Sequence, residues 1–406
     1  MKTHHYIYWI CRRSRSVLVP ILLLFTTLLT VSIIQETGPM IQARNKRLHV
    51  LLANITQEAL VQNSIKVSPI NITSITRQKP PEHRPILVSR LNKTVIQPAK
   101  RKVQSLANFH YPMNIDLPNL VDKKIVNGTE ITAKPINPHT FQYLHQPKVC
   151  SFSVPDDAVK ILVLVKSAVS NDKLRESIRN TWAKDLLSNF HVVFLLGYTD
   201  NFNQRKVDKE SKIYGDVIQE DFQDKYINNT FKTIMGFNWG VTSCPTASFY
   251  FFVDDDHYVF LDNVYLYLKN AHASKTSMFS GYLLPHSKPF RDIKSKWFVS
   301  WEDYAYDWWP PYLAGGAYLV SFSIAQKFQI AFPYVKYLGI DDSYLGIVAN
   351  KLNIRPRHNA HLANRVSVVS ETRIKRANMF ASHGFKDPEK MQKVWEMIHT
   401  NDAKDV

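Results

Sequence analysis

Cysteine is scarce in this chain, with three in 406 residues. No multi-disulfide framework can therefore carry the fold. Acidic residues are also short: 34 Asp and Glu face 51 Lys and Arg, for a formal net charge of +17. Such an excess suits nucleic acid, but no helix-turn-helix, zinc-finger or RNA-binding signature accompanies it. The sequence also has no internal repeat. The charge is local. Residues 1–34 carry 4 basic side chains and no acid, and residues 35–150 carry 16 against 6; the 31 basic and 28 acidic residues that follow nearly cancel. The excess reads as a solvated amino-terminal stem near anionic lipid, not as a nucleic-acid surface.

Residues 17–34 hold no charge and follow Lys2, Arg12, Arg13 and Arg15. As a helix they span about 27 Å, enough for a thin bilayer. No small-residue cleavage site follows, which favours an uncleaved signal anchor. The expected organisation is a cytosolic tail (1–16), a transmembrane anchor (17–34), a luminal stem (35–149) and a luminal domain (150–406). Five Asn-x-Thr sequons, at Asn54, Asn71, Asn92, Asn127 and Asn228, agree with a glycosylated luminal chain. The stem holds 11 of the 21 prolines, and its more aromatic last stretch (109–147) is expected to pack on the domain. Cys11, on the cytosolic flank, is open to palmitoylation. Cys150 and Cys244 are the luminal pair, either one disulfide or two buried thiols.

From Cys150 onward the texture is globular, in a chain that is 45% hydrophobic. Apolar runs at 159–165, 192–196 and 249–253 have strand composition. Helical patterns fall at 173–187, 230–241 and after Asp387-Pro388, where Met391, Val394, Trp395 and Ile398 share a face. Alternating strands and helices predict an α/β domain with a mainly parallel sheet.

The most telling run is Phe249-Tyr250-Phe251-Phe252-Val253 followed by Asp254-Asp255-Asp256. Ligands bind at the carboxyl ends of strands in open α/β sheets. Three adjacent carboxylates there fit a divalent cation gripping a diphosphate, or a solvated turn or helix start. Arg175 and Arg179, four apart, suit phosphates or a surface pair. Gly315-Gly316 lets backbone approach a ligand, after the aromatic segment holding Trp297, Trp301, Tyr304, Trp308, Trp309 and Tyr312. Flat rings suit the apolar face of a sugar, or ordinary core packing. Asp341-Asp342 opens a helical segment, as a cap, a general base, or one of each. His383 becomes a metal ligand only if the fold brings it to the triplet.

Five collinear blocks, RESIRNTW (175–182), DFQDKYINNTFKT (221–233), CPTASFYFFVDDD (244–256), WPPYLAGGAYLVS (309–321) and IDDSYLGIVANKLNI (340–354), resemble the β-1,3-glycosyltransferases of glycosyltransferase family 31. The second and third are most similar to the Brainiac branch of invertebrate enzymes. The resemblance spans residues 159–397 and implies a GT-A-type fold, a UDP-sugar donor and Mn²⁺. It implies that Asp254, Asp255 and Asp256 form the DxD metal motif. Asp256 would hold the cation most directly, with His383 a further ligand. It implies Asp342 as the base of an inverting transfer, Arg175 and Arg179 near the nucleotide, and Trp309, Tyr312, Gly315 and Gly316 near substrate. Asp341 stands where relatives carry Glu, and Ser343 where they carry Val, which keeps Asp341 in view as the base. The strand before the triplet lacks the Lys of many relatives, and His257 is unusual, so no single donor sugar is implied. The expected protein is a Golgi β-1,3-hexosyltransferase using UDP-GlcNAc or UDP-Gal. Its acceptor would be a glycolipid or glycoprotein, and a homodimer is compatible with this. The alternative is a catalytically silent sugar-binding or chaperone protein on the same fold, which would be expected to lose the acids retained here.

Overall fold

The computed structural model describes residues 111–184, 186–270, 277–366 and 379–402. The expected anchor at 17–34, Cys11 and the sequons at Asn54, Asn71 and Asn92 lie outside these residues. Among the described residues, no helix is long and apolar enough to cross a membrane.

Helix α1 (Leu117–Asn127) and strand β1 (Tyr143–His145) come first. Then follow β2 (Ile161–Lys166), α2 (Asp172–Asn180), β3 (Phe190–Tyr198), α3 (Asn201–Tyr214), β4 (Val217–Gln223), α4 (Asn229–Ser243) and β5 (Phe249–Asp254). The second half holds β6 (His257–Val259), α5 (Leu261–Lys269), β7 (Phe279–Leu284), β8 (Tyr312–Ser321), α6 (Phe322–Ala331) and α7 (Asp341–Lys351). Strands β9 (Arg357–His358), β10 (Leu362–Val366) and β11 (Ala381–His383), with helix α8 (Pro388–Asp402), complete it.

The main sheet runs β1-β4-β3-β2-β5-β8-β7-β9. Its centre, β4-β3-β2-β5, is parallel, as the alternating pattern predicts. Strand β8 runs antiparallel to both β5 and β7. The reason is the connection. No helix crosses back between β7 and β8, so segment 285–311 returns the chain from the same end of the sheet.

All six residues of β2 are buried, because helices cover both faces of the sheet. Side-chain alternation splits the strands between two cores. Leu162, Leu164, Tyr250 and Phe252 face the core shared with α1, α4, α6 and α7. Ile161, Val163, Val165, Phe249, Phe251 and Val253 face the core shared with α2, α5 and α8. Each such apolar side chain contributes roughly 1.5–3 kcal/mol of burial. Helix α4 lies close on the sheet because of Gly236. A Cβ there would fall 2.7 Å from Leu195 Cδ1 and 2.9 Å from Phe252 Cε1.

One local expectation changes. The helix expected over 173–187 ends at Asn180. Thr181 leaves helical dihedrals, its Oγ1 donates to the Ser177 carbonyl, and Trp182 turns into the core. The stretch before Cys150 packs on the domain. Asp116 caps α1, Gly128 ends it in the left-handed region, and Leu117 and Val121 are fully buried. Strand β1 pairs with β4. Cys150 and Cys244 are bonded, which ties the entry to β2 to the carboxyl end of α4.

Candidate active site

Parallel pairing of β2 with β5 sets Lys166 beside Asp254 at the carboxyl ends of both strands. By the same alternation that buries Leu164 and Phe252, both side chains face α4 and α7. Lys166 Nζ donates to Asp341 Oδ2 at 2.8 Å and to the Gly315 carbonyl at 2.9 Å, and lies 3.0 Å from Asp254 Oδ1. Burial opposes the charge on Lys166, but Asp254 and Asp341 outweigh it and hold its pKa well above the ordinary lysine value. Burial likewise opposes ionisation of Asp341, yet Lys166 and Thr233, whose hydroxyl donates at 3.0 Å, keep its pKa low. The cation that the apolar β5 lacks thus comes from the neighbouring strand. Lys166→Met removes the cation that pairs with both the buried Asp341 and the part-exposed Asp254. It should cost about 3 kcal/mol of stability, read by chemical denaturation. A loss under about 0.5 kcal/mol would show that the bridge is not what holds these acids.

Asp342, next in α7, shares the helix start but not the lysine hydrogen bond. Its Oδ1 accepts from the Ser343 N–H at 2.6 Å and from Ser343 Oγ at 3.2 Å. Burial first, and then the adjacent Asp341 charge, push its pKa up to about 7. Two neighbouring acids with one cation between them are driven apart in this way, which suits one of them to take up a proton near neutral pH. Strand β8 packs tightly here: a Cβ on Gly315 would sit 3.3 Å from Asp342 Cβ.

The acidic triplet divides three ways. Asp254 faces an open cleft that Lys166, Gly315, Gly316, Asp341 and Asp342 also line. Asp255 turns inward, where its Oδ2 accepts from Ser167 Oγ at 2.6 Å and Asn171 Nδ2 at 2.9 Å. Asp256 sits between two imidazoles, His257 Nδ1 3.0 Å from Oδ1 and His383 Nε2 3.0 Å from Oδ2. Burial opposes its ionisation, but the two rings prevail and lower its pKa. His383 arrives by strand pairing, since β11 runs antiparallel to β6 with His383 opposite His257. Among the described residues, no group of three or more His, Cys, Asp or Glu is placed to hold a metal ion by itself. At the cleft mouth Asp254 stands without Asp256 and His383, which do not line it, although carboxylate and imidazole are donors of the kind Mn²⁺ accepts. Gly316 keeps that mouth open, for a Cβ there would meet His257 Cε1 at 3.0 Å and lie 3.8 Å from Asp254 Oδ2.

Other expected residues fall elsewhere. Arg175 and Arg179 do not line the cleft. Arg175 is fully buried, donating Nε and Nη2 to Glu210 at 2.8 Å and Nη1 to Ser167 Oγ and the Ala168 carbonyl. Arg179 pairs with Glu210 and Asp216. An Arg pair on one helix face marks a cation cluster; which anions meet it is decided by α3 and the turn before β4. Trp309 is buried against Tyr304, ring centroids 4.2 Å apart, and Tyr312 is buried beneath Gly346. Neither presents a face to the cleft, so the core claims both; Gly315 and Gly316 do line it. Asn127 is exposed at the end of α1. Asn228 is half-buried, its Nδ2 donating to the Gln223 carbonyl at 2.9 Å.

Sequence reasoning missed Lys166, Tyr226 and, among the aromatics, the particular role of Trp297. A lysine closing an otherwise apolar strand was the available signal for Lys166. Tyr226 and Trp297 come together across 71 positions, which no local pattern encodes.

The family described as Galactosyltransferase matches residues 173–360. The β-1,3-galactosyltransferase brn of Drosophila melanogaster is 35% identical over 294 residues, covering 71% of this chain and 86% of its own. The mouse β-1,3-galactosyltransferase 1 is 32% identical over 283 residues, covering 68% and 84%. The lactosylceramide 1,3-N-acetyl-β-D-glucosaminyltransferase B of Xenopus laevis is 33% identical over 220 residues, covering 51% and 58%.

Proposed function

This chain belongs to the galactosyltransferase family and is a β-1,3-hexosyltransferase, and from that premise we propose that it moves galactose or N-acetylglucosamine from a UDP-sugar, with inversion, to a 3-hydroxyl of a glycan acceptor. One observation carries this reading. Asp342, with its carboxyl pushed to about 7, faces the same cleft as Asp254.

The reading assigns proton uptake to Asp342. The acceptor 3-oxygen bonds to C1 of the donor sugar while its proton passes to the free carboxylate oxygen of Asp342. The bond from C1 to the diphosphate breaks, and its electron pair leaves with UDP. Asp341 is the poorer base, since Lys166 and Thr233 already occupy one of its oxygens. Asp254, Asp256 and His383 would hold Mn²⁺, which supplies Lewis-acid stabilisation of the departing diphosphate. Lys166 favours the charged forms of both acids, holding the Asp341 pKa low while burial still raises that of Asp254, and the Gly315-Gly316 backbone leaves room beside them. The acidic turn at the carboxyl edge of a parallel sheet centre supports a GT-A-type arrangement. The charge-free run at 17–34, its basic flank and the five sequons support a type II Golgi membrane protein.

The test is UDP release by detergent-solubilised full chain with Mn²⁺, one UDP-sugar at a time, and simple β-mannoside, β-galactoside or N-acetylglucosaminide acceptors. Release that needs both Mn²⁺ and one acceptor is the expected result and names the donor. Mn²⁺-dependent UDP binding without release for any pair would point instead to a protein that only binds. No UDP binding would overturn the assignment of the acidic turn.

A further inference from the structure

Facing the cleft from outside the catalytic acids is an aromatic pair that the chemistry above does not use. Trp297, in the segment between β7 and β8, donates its indole Nε1–H to the phenol oxygen of Tyr226 at 2.8 Å. Both rings line the cleft, and both keep large exposed surfaces, 40% for Trp297 and 55% for Tyr226. Large aromatic rings are ordinarily buried, so two left open at one cleft mark a contact surface.

The pair is tied to the segment that carries Asp342. Tyr226 opens a short 3-10 turn (Tyr226–Asn228) that is stapled to the segment leading into α7. The Tyr337 hydroxyl donates to the Ile227 carbonyl at 2.7 Å, and Gly339 packs so closely on Ile227 that a Cβ would fall 2.4 Å from its Cδ1. Ile340, Asp341 and Asp342 follow at once. Asp254 and Gly316 line the same cleft, with His257 beside Gly316. A molecule lying on the rings therefore lies in the cleft that Asp342 lines.

One group already rests on the rings. Lys296 Nζ lies 4.5 Å from the Trp297 centroid and 5.2 Å from that of Tyr226. An exposed cation on an aromatic face is weakly held, so a better-fitting partner displaces it. The apolar C–H face of a pyranose is such a partner: it is uncharged, flat on the ring scale, and leaves its hydroxyls pointing sideways.

We infer that Trp297 and Tyr226 form the platform on which the acceptor hexopyranoside stacks, with its 3-hydroxyl turned toward Asp342. This rests on the transferase reading and adds the subsite that reading leaves unassigned. The competing occupant of an aromatic shelf is the donor's uracil ring, and the test separates the two.

Acceptor and donor affinities are measured by titration calorimetry on full-length protein, using a methyl β-hexopyranoside for one and UDP with Mn²⁺ for the other, alongside turnover. Trp297→Ala should weaken acceptor binding about tenfold or more and leave UDP affinity within about twofold. Trp297→Phe should restore most of the loss, and Tyr226→Phe should weaken acceptor binding less than Trp297→Ala, since it removes only the hydrogen bond that orients the indole. Weakened UDP binding with unchanged acceptor binding would assign the shelf to uracil and overturn the inference. Unchanged affinity for both, in a variant that melts at the wild-type temperature, would overturn it as well. Failure of the wild type to release UDP, with acceptor affinity still falling in Trp297→Ala, would remove the transferase reading and leave a sugar-binding shelf.

Discussion

Asp342→Asn is expected to lower kcat by about a hundredfold to ten-thousandfold while donor KM stays within about twofold. The amide has nearly the same shape, and its oxygen can still accept from the Ser343 N–H as Asp342 Oδ1 does. What it cannot do is take a proton. A general base acts as the acceptor hydroxyl attacks, so its loss appears in the transition state and hardly at all in donor binding. The pH profile gives an independent reading. Burial and the Asp341 charge raise the Asp342 pKa to about 7. Only the ionised carboxylate can accept the proton, so wild-type kcat/KM should fall as pH drops through about 7 and level off above it. In Asp342→Asn that acidic limb should vanish from whatever rate remains. Near-normal turnover, or a limb that persists unchanged, would move the base elsewhere, with Asp341→Asn the next variant to measure.

Asp256→Ala is the second large effect. It should lower Mn²⁺-dependent turnover by about a hundredfold or more, corresponding to several kcal/mol of lost transition-state stabilisation. Asp256 is the point where two segments meet, His257 on β6 and His383 on β11. Removing its carboxylate takes away an oxygen donor of the proposed Mn²⁺ site and also the group that meets both rings. Folding should survive, because β6 and β11 remain paired through three successive residues and Asp256 is only partly buried. The decisive readout is Mn²⁺ affinity, followed by the paramagnetic signal of the free ion with and without UDP. Asp256→Ala should weaken it strongly. Asp255→Asn should change it little, because Asp255 faces Ser167 and Asn171 instead of the cleft. Equal losses in the two variants would mean that the triplet acts as one diffuse charge and not through the particular carboxylate that meets the histidines.

Much of this protein is legible in one dimension because the relevant forces are local. The run from Phe249 to Val253 reads as a strand because it is continuously apolar, and it is buried on both faces for the same reason. Asp341 and Asp342 read as a helix start because carboxylates favour that end of the dipole, and α7 begins there. Other features were ambiguous for an equally physical reason. Arg175 and Arg179 look alike whether they meet phosphate or protein carboxylates; Glu210 and Asp216, 31 to 37 residues away, settle it. Trp297 and Trp309 have the same side chain in the same aromatic segment, yet one is 40% exposed over a cleft and the other 3% exposed in the core.

The sequence by itself determined three central strands and several of the helices, the acidic turn at a strand's end, the acids at a helix start and the membership that collinear motifs reveal. Periodicity, helix-end electrostatics and strand length act over a few residues, so these features can be read without a fold. Tertiary structure alone decided which cation serves the acids, because the pairing of β2 with β5 places Lys166 beside Asp254. It decided that His383 reaches Asp256, through a strand contact spanning 127 positions. It also decided that Asp342, not its neighbour, is left free of the lysine hydrogen bond and raised in pKa. Burial, shared counter-ions and cross-strand register depend on where distant segments meet, and only the folded chain brings them together.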